Sequence, residues 1–89
     1  MNLESDLANL GGDKGEIATT LKRKGVKGFR CEHGRCPIAQ YLHGLHPDHK
    51  FEVTQTRIQI DGEGRIITPG AVGRFVTAFD LGEYPDLEA

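Results

Sequence analysis

The chain has no tryptophan, one methionine, four phenylalanines and two tyrosines among its 89 residues. Hydrophobic residues make up 37% of it, which suffices for one small core but not for a core that also encloses a large substrate pocket. This scarcity of large apolar side chains argues against a self-contained enzyme. We therefore expect one small domain that acts by binding, as a monomer or as a homodimer.

The sequence also lacks a long apolar run, since none reaches the length of a membrane span or of the hydrophobic part of a secretory signal. The first four residues, Met1-Asn2-Leu3-Glu4, are acidic rather than basic, which argues against export. We therefore expect a cytoplasmic protein with no membrane partner. Because cytoplasmic thiols stay reduced, the two cysteines are expected to be free or to bind metal rather than to form a disulfide.

Charge is distributed unevenly along the chain, although the net charge is only −2. Between residues 22 and 35 the only acid is Glu32, and the cations are Lys22, Arg23, Lys24, Lys27, Arg30 and Arg35. The other end of the chain is acidic, with Asp80, Glu83, Asp86 and Glu88. The six cations predict a contact surface for a protein or nucleic-acid partner. The alternative is a solvated helix end followed by a loop, since cations also suit the C-terminus of a helix.

The spacing of apolar residues predicts a small α+β domain with its elements in the order α-α-β-β-α. Residues 1–12 carry leucines at helical spacing before a glycine pair, and we expect them to be a flexible or docking N-terminal segment. Residues 13–89 are expected to form a single domain.

Caps and periodicity place the elements within that domain. One helix is expected after Asp13, a second from Cys36-Pro37, and a third after Thr68 as its N-cap. From residue 51 to residue 68 the apolar positions alternate, which predicts a two-stranded antiparallel hairpin packed on the helices. The parity of the alternation changes near Gln55, and we interpret this change as a bulge or bend that brings both pairs of apolar residues to one face.

Both cysteines and all four histidines lie between Cys31 and His49. Thiolate and imidazole bind zinc, so this crowding makes a zinc-stabilised domain a candidate, with the ligands Cys31, Cys36, His33 and His43. The spacing differs from that of zinc ribbons and zinc fingers, and Cys36 also suits a buried position at the start of a helix. Both interpretations stay open. Apart from zinc we expect no cofactor, and the sequence identifies no catalytic residue.

Two helices followed by a hairpin are also the parts of a winged-helix DNA-binding regulator. In that alternative Gln40 and His43 would face base edges while the cations hold phosphates. Two features argue against it. The connection between the helices is about eleven residues long, where roughly three or four are usual, and the hairpin tip from Asp61 to Gly64 is acidic.

Two further segments stand out together: Cys36-Pro37-Ile38-Ala39-Gln40-Tyr41-Leu42 and Gly73-Arg74-Phe75-Val76-Thr77-Ala78-Phe79-Asp80-Leu81-Gly82-Glu83-Tyr84-Pro85-Asp86-Leu87. With Ile17-Ala18 and Leu21-Lys22 they are similar to short uncharacterised proteins of actinobacteria and their phages, over most of residues 16–87. The resemblance implies a small accessory protein, which a phage could encode, and it brings no activity. The function predicted from the sequence is therefore non-enzymatic binding of a protein or nucleic acid through the six cations between residues 22 and 35.

Overall fold

Four helices and a three-stranded antiparallel sheet make up residues 2–89, the part of the chain that the computed structural model describes. The helices are α1 (Leu3–Ala8), α2 (Lys14–Arg23), α3 (Pro37–Leu45) and α4 (Gly70–Asp80). The strands are β1 (Phe51–Val53), β2 (Arg57–Ile60) and β3 (Gly64–Ile67), and a short 3-10 turn spans Pro85–Leu87. The predicted α+β class is confirmed. None of the described helices is long and apolar enough to cross a membrane.

The sheet has three strands, in the order β1-β2-β3, where the sequence predicted two. The predicted first strand is broken in the middle, and the chain reverses so that Phe51 lies opposite Ile60. The hydroxyl of Thr54 closes this reversal, because it accepts the backbone N–H of Arg57 at 3.0 Å. The change of parity near Gln55 therefore marks a bend of the chain, one of the two predicted possibilities, and this bend separates β1 from β2.

One face of the sheet packs against the helices and forms the core with them. The strand residues on that face are buried: Phe51, Val53, Ile58 and Ile60. Helix α4 supplies the two largest fully buried side chains, Phe75 and Phe79, whose ring centroids lie 6.0 Å apart. Burying each large apolar side chain stabilises the fold by about 1.5–3 kcal/mol, so the helices and the sheet depend on each other.

Helix α1 packs into the same core as the rest of the domain. The two leucines of α1 and Leu10 just after it are at most 5% exposed: Leu3, Leu7 and Leu10. The hydroxyl of Tyr41 in α3 also donates to the backbone carbonyl of Asp6 at 2.8 Å. Residues 2–12 are therefore bound to the domain in this structure, while Met1 of the predicted segment lies outside the described residues.

The helix starts follow the predicted caps at α2 but not at α4. The Asp13 carboxylate accepts the backbone N–H of Glu16 at 2.8 Å, as expected for an N-cap. Thr68 was the expected N-cap of α4, but that position is taken by Pro69. The Thr68 hydroxyl donates instead to the backbone carbonyl of Thr54 at 3.0 Å, and this bond ties the start of α4 to the β1–β2 turn.

Gly28 lies where three parts of the chain meet. Its N–H donates to the carbonyl of Leu87, and its own carbonyl accepts the N–H of Ala89, both at 2.9 Å. On the other side, a Cβ atom added to Gly28 would lie 2.5 Å from three backbone atoms of residues 35–37. Only glycine fits between these segments, so the loop after α2, the start of α3 and the end of the described chain are held together at this residue.

We expect Gly28→Ala to lower the free energy of unfolding by about 1–3 kcal/mol, because the added methyl group would overlap backbone that cannot move freely. Gly44→Ala is the matched control: it also adds one methyl group, but no atom lies within 4 Å of the new Cβ. Inside helix α3 this change should be neutral or stabilise by about 0.5–1 kcal/mol. Urea unfolding measures both, and equal stability of the two variants would contradict the close packing at Gly28.

Candidate functional site

Five cations at the end of α2 and in the following loop form a patch that we call the basic surface: Lys22, Arg23, Lys24, Lys27 and Arg30. All five are exposed. Two of them, Lys22 and Arg23, are in the last turn of α2, where positive charge is favoured by the helix dipole. The dipole explains these two positions, but it does not explain the cations that continue into the loop.

The acidic segment, residues 83–89, lies directly against the basic surface. Its backbone pairs with Gly28 through the N–H and the carbonyl of that residue, and Glu88 and Gly28 form a parallel bridge. Leu87 is 2% exposed and anchors the segment in the core. The acidic end and the basic stretch, which are far apart in the sequence, therefore form one continuous surface.

Two ion pairs connect the acidic segment to the basic surface. Lys22 Nζ lies 2.9 Å from Asp86 Oδ2, and Arg30 Nε lies 3.7 Å from Glu88 Oε1. The hydrogen bond from Lys22 lowers the pKa of the Asp86 carboxyl, and the positive charges of Lys22 and Lys27 lower it further. The side chains of Lys22 and Asp86 are 65% and 70% exposed, so water and salt screen their attraction.

Three cations of the basic surface have no carboxylate within 4.0 Å among residues 2–89: Arg23, Lys24 and Lys27. Arg23 lines a groove between α1 and α2, whereas Lys22 lines a groove beside the acidic segment. The basic surface therefore wraps around the end of α2 rather than lying in one plane. With five cations and the two paired carboxylates Asp86 and Glu88, it retains an excess of three positive charges (five minus two).

Arg35, the sixth predicted contact residue, belongs to a different surface. Its guanidinium lies 4.4 Å from the centre of the Phe29 ring and 3.6 Å from Glu32 Oε1. It lines a groove of about 490 Å³ between α3 and β1, together with Gln40 and His43. The six cations that the sequence grouped together therefore lie on two surfaces, with Arg35 apart from the other five.

Two of the four candidate zinc ligands, Cys36 and His43, are held by hydrogen bonds within the fold. Cys36 is 2% exposed, and its Sγ accepts the backbone N–H of Ala39 at 3.5 Å as the N-cap of α3. Burial raises the pKa of the Cys36 thiol to about 11, which outweighs the lowering by backbone hydrogen bonds. Imidazole Nδ1 of His43 lies 2.9 Å from the carbonyl of His49, so Nδ1 carries the proton.

The other two candidate ligands, Cys31 and His33, are exposed. Cys31 has a positive φ of 60°, and its N–H donates to Asp80 Oδ1 at 2.8 Å. The carbonyl of His33 accepts the N–H of Val53 at 2.8 Å, which binds this loop to the edge of β1. Within residues 2–89, no three side chains of the His, Cys, Asp or Glu type lie together as metal ligands would. The structure does not bring the four candidates together.

The elements of the DNA-binding alternative are present, but their arrangement differs from a helix-turn-helix. Residues 24–36 separate α2 from α3, which is longer than the turn of roughly three or four residues in that motif. Gln40 and His43 both line the groove beside β1. The tip of the hairpin between β2 and β3 exposes Asp61 and Glu63, whose charge would repel a phosphate backbone.

A second group of cations lies on the sheet, where the sequence did not indicate one. The side of the sheet that faces away from the core exposes Arg57 and Arg65, together with Ile67, which is 85% exposed, and Glu52 of β1; Lys50 is exposed just before β1. None of these cations has an ion pair within the described part of the chain. Strand alternation could have indicated this face, because these residues alternate with the buried ones. These residues come from different parts of the sheet and are separated in the sequence, so the sequence alone does not show that they form one group.

Comparison with known proteins gives no match: neither a family model, nor a curated protein, nor a solved structure is similar to this chain. A function for the chain therefore has to be inferred from its own surfaces.

We expect a thiol reagent to modify Cys31 and not Cys36 in the folded protein. The thiolate is the reactive form, and the raised pKa keeps the buried Cys36 thiol protonated at neutral pH. Mass spectrometry after brief treatment with iodoacetamide, with and without urea, measures the modification at each site. Cys31→Ser is the control and should show no labelling until urea is added. Labelling of Cys36 in the native protein at the rate of Cys31 would contradict this expectation.

We also expect a strong chelator to leave the thermal unfolding midpoint unchanged, because the candidate ligands do not converge. Differential scanning fluorimetry with and without EDTA measures this directly. Cys31→Ser should unfold at the same temperature as the parent, since Cys31 is exposed. A lower midpoint in EDTA, restored by added zinc, would instead support a structural metal site.

Proposed function

We propose that this protein is a non-enzymatic binding domain, and that its basic surface binds an acidic segment of a partner protein. The observation that carries the proposal is the excess of positive charge around the end of α2. Five cations meet only two carboxylates there, and three of the five have no ion pair in the described residues. Opposite charge steers such partners together and selects against basic ones.

The acidic segment of the chain itself supports this choice of partner. It is one example of how the basic surface binds an acidic stretch: the carboxylates of Asp86 and Glu88 contact Lys22 and Arg30, and the backbone of the segment pairs with Gly28. Arg23, Lys24 and Lys27 take no part in that interaction. We propose that these three cations make the first contacts with the partner.

A nucleic-acid partner is the alternative, and three observations make it the weaker one. The basic surface wraps around a helix end, the helix connection is long, and the hairpin tip is acidic. Phe29, which precedes Arg30 in the loop after α2, is half-buried and covered by the guanidinium of Arg35, so it is not open for stacking with a base.

The proposal includes no catalytic step. Cys36, a thiol at the start of a helix, is buried, and its raised pKa keeps it protonated at neutral pH, so it is not an activated nucleophile. The grooves lined by the basic residues are open at the surface and serve better for contact with a macromolecule than for enclosing a substrate.

The proposal is tested with a fluorescein-labelled oligoglutamate peptide, whose binding is followed by fluorescence anisotropy. The triple variant Arg23→Ala/Lys24→Ala/Lys27→Ala should raise Kd by roughly 3- to 100-fold, as expected for the loss of three exposed charge contacts. Binding by the parent should weaken as salt is added, because the contacts are exposed.

The matched control is Lys50→Ala/Arg57→Ala/Arg65→Ala, which removes the same charge from the sheet and from the residue that precedes β1. This variant should bind the peptide within about threefold of the parent, since only long-range attraction is lost. Equal weakening by the two triple variants would show that net charge alone matters and would contradict the proposal. Tighter binding of duplex DNA than of the peptide, lost in the first triple variant only, would favour the nucleic-acid alternative.

A further inference from the structure

The acidic segment holds two of the cations that an acidic partner would use. Asp86 is paired with Lys22 and Glu88 with Arg30, and the backbone of residues 87–89 pairs with Gly28. We infer that the acidic segment is an internal competitor: its carboxylates lower the affinity of the basic surface, and the partner must displace them. This inference rests on the proposed function and names the regulation of the same site.

The two parts of the segment are held with very different strength. Leu87 is buried in the core and Gly28 pairs with the backbone on each side of Glu88, so the backbone is fixed. The carboxylates on either side of Leu87 are at the surface, with side chains 70% exposed at Asp86 and 35% exposed at Glu88. The partner's carboxylates can therefore displace those of Asp86 and Glu88 from Lys22 and Arg30. The backbone of residues 87–89 stays in place, so no unfolding is required.

The charge of the site changes substantially when these carboxylates leave. With both in place, five cations less two carboxylates give a charge of +3 on the basic surface, and without them the charge is +5. Lys27 takes part in this balance, because its charge contributes to lowering the pKa of the Asp86 carboxyl without contacting it within 4.0 Å. Any change that moves the two carboxylates away from Lys22 and Arg30 should strengthen partner binding.

The test is the double variant Asp86→Asn/Glu88→Gln, which removes both charges and keeps the size of the side chains. It should bind the labelled oligoglutamate peptide roughly 2- to 30-fold more tightly than the parent, as expected for two exposed ion pairs that no longer have to be replaced. Its affinity should also fall more steeply with added salt. The amides of Gly28 and Ala89 should stay as protected from hydrogen exchange as in the parent, which shows that the backbone pairing is retained.

The matched control is Asp61→Asn/Glu63→Gln, which changes the net charge by the same amount at the hairpin tip. It should stay within about twofold of the parent, because those carboxylates are not paired with the basic surface. An equal gain in the two double variants would overturn the inference, since net charge alone would then explain the effect.

The remaining outcomes separate the inference from the proposed function. If Asp86→Asn/Glu88→Gln gives no gain while Arg23→Ala/Lys24→Ala/Lys27→Ala still weakens binding, the inference is wrong and the proposed function stands. If the parent and Asp86→Asn/Glu88→Gln both fail to bind the peptide at low salt, the proposed function is wrong and the inference falls with it. Binding that is measurable only in Asp86→Asn/Glu88→Gln would support both.

Discussion

The close backbone approach at Gly28 is the constraint on which the arrangement of the functional surface depends. One side of this residue packs against the backbone of residues 35–37, and the other side pairs with Leu87 and Ala89. Because a Cβ atom has no room there, the loop after α2 lies tightly between the start of α3 and the acidic segment. The charges carried by these segments are thereby held on one surface, although about sixty residues separate them in the sequence.

In the structure, the basic stretch is not the single open contact surface that its sequence suggests. A run of six cations indicates an open contact surface, but two of them are engaged by the acidic segment and Arg35 lies beside another groove. What remains is an excess of positive charge around the end of α2, next to carboxylates that are exposed and weakly held. Such a surface favours reversible binding whose strength is set by charge, with the buried core acting as a rigid support.

Local signals predicted the helices well, because each depends on residues close together in the chain. Asp13 caps α2, Cys36-Pro37 opens α3, and the third helix predicted after Thr68 is α4. The third strand was missed because a change of parity fits both a bulge and a turn, and the Thr54 hydroxyl bond that decides between them is not visible in periodicity. The pairing of residue 28 with residues 87–89 could not be predicted, since it depends on how Leu87 packs in the core.

Amide hydrogen exchange at Gly28 and Ala89, resolved by NMR, tests the central claim most directly. Both N–H groups donate across the junction between the loop and the acidic segment, so they should exchange slowly and to a similar extent. If instead both exchange as fast as in an unstructured peptide while the amides of α4 stay protected, the acidic segment is not held on the basic surface. The junction at Gly28 would then not organise the site, although the fold would stand.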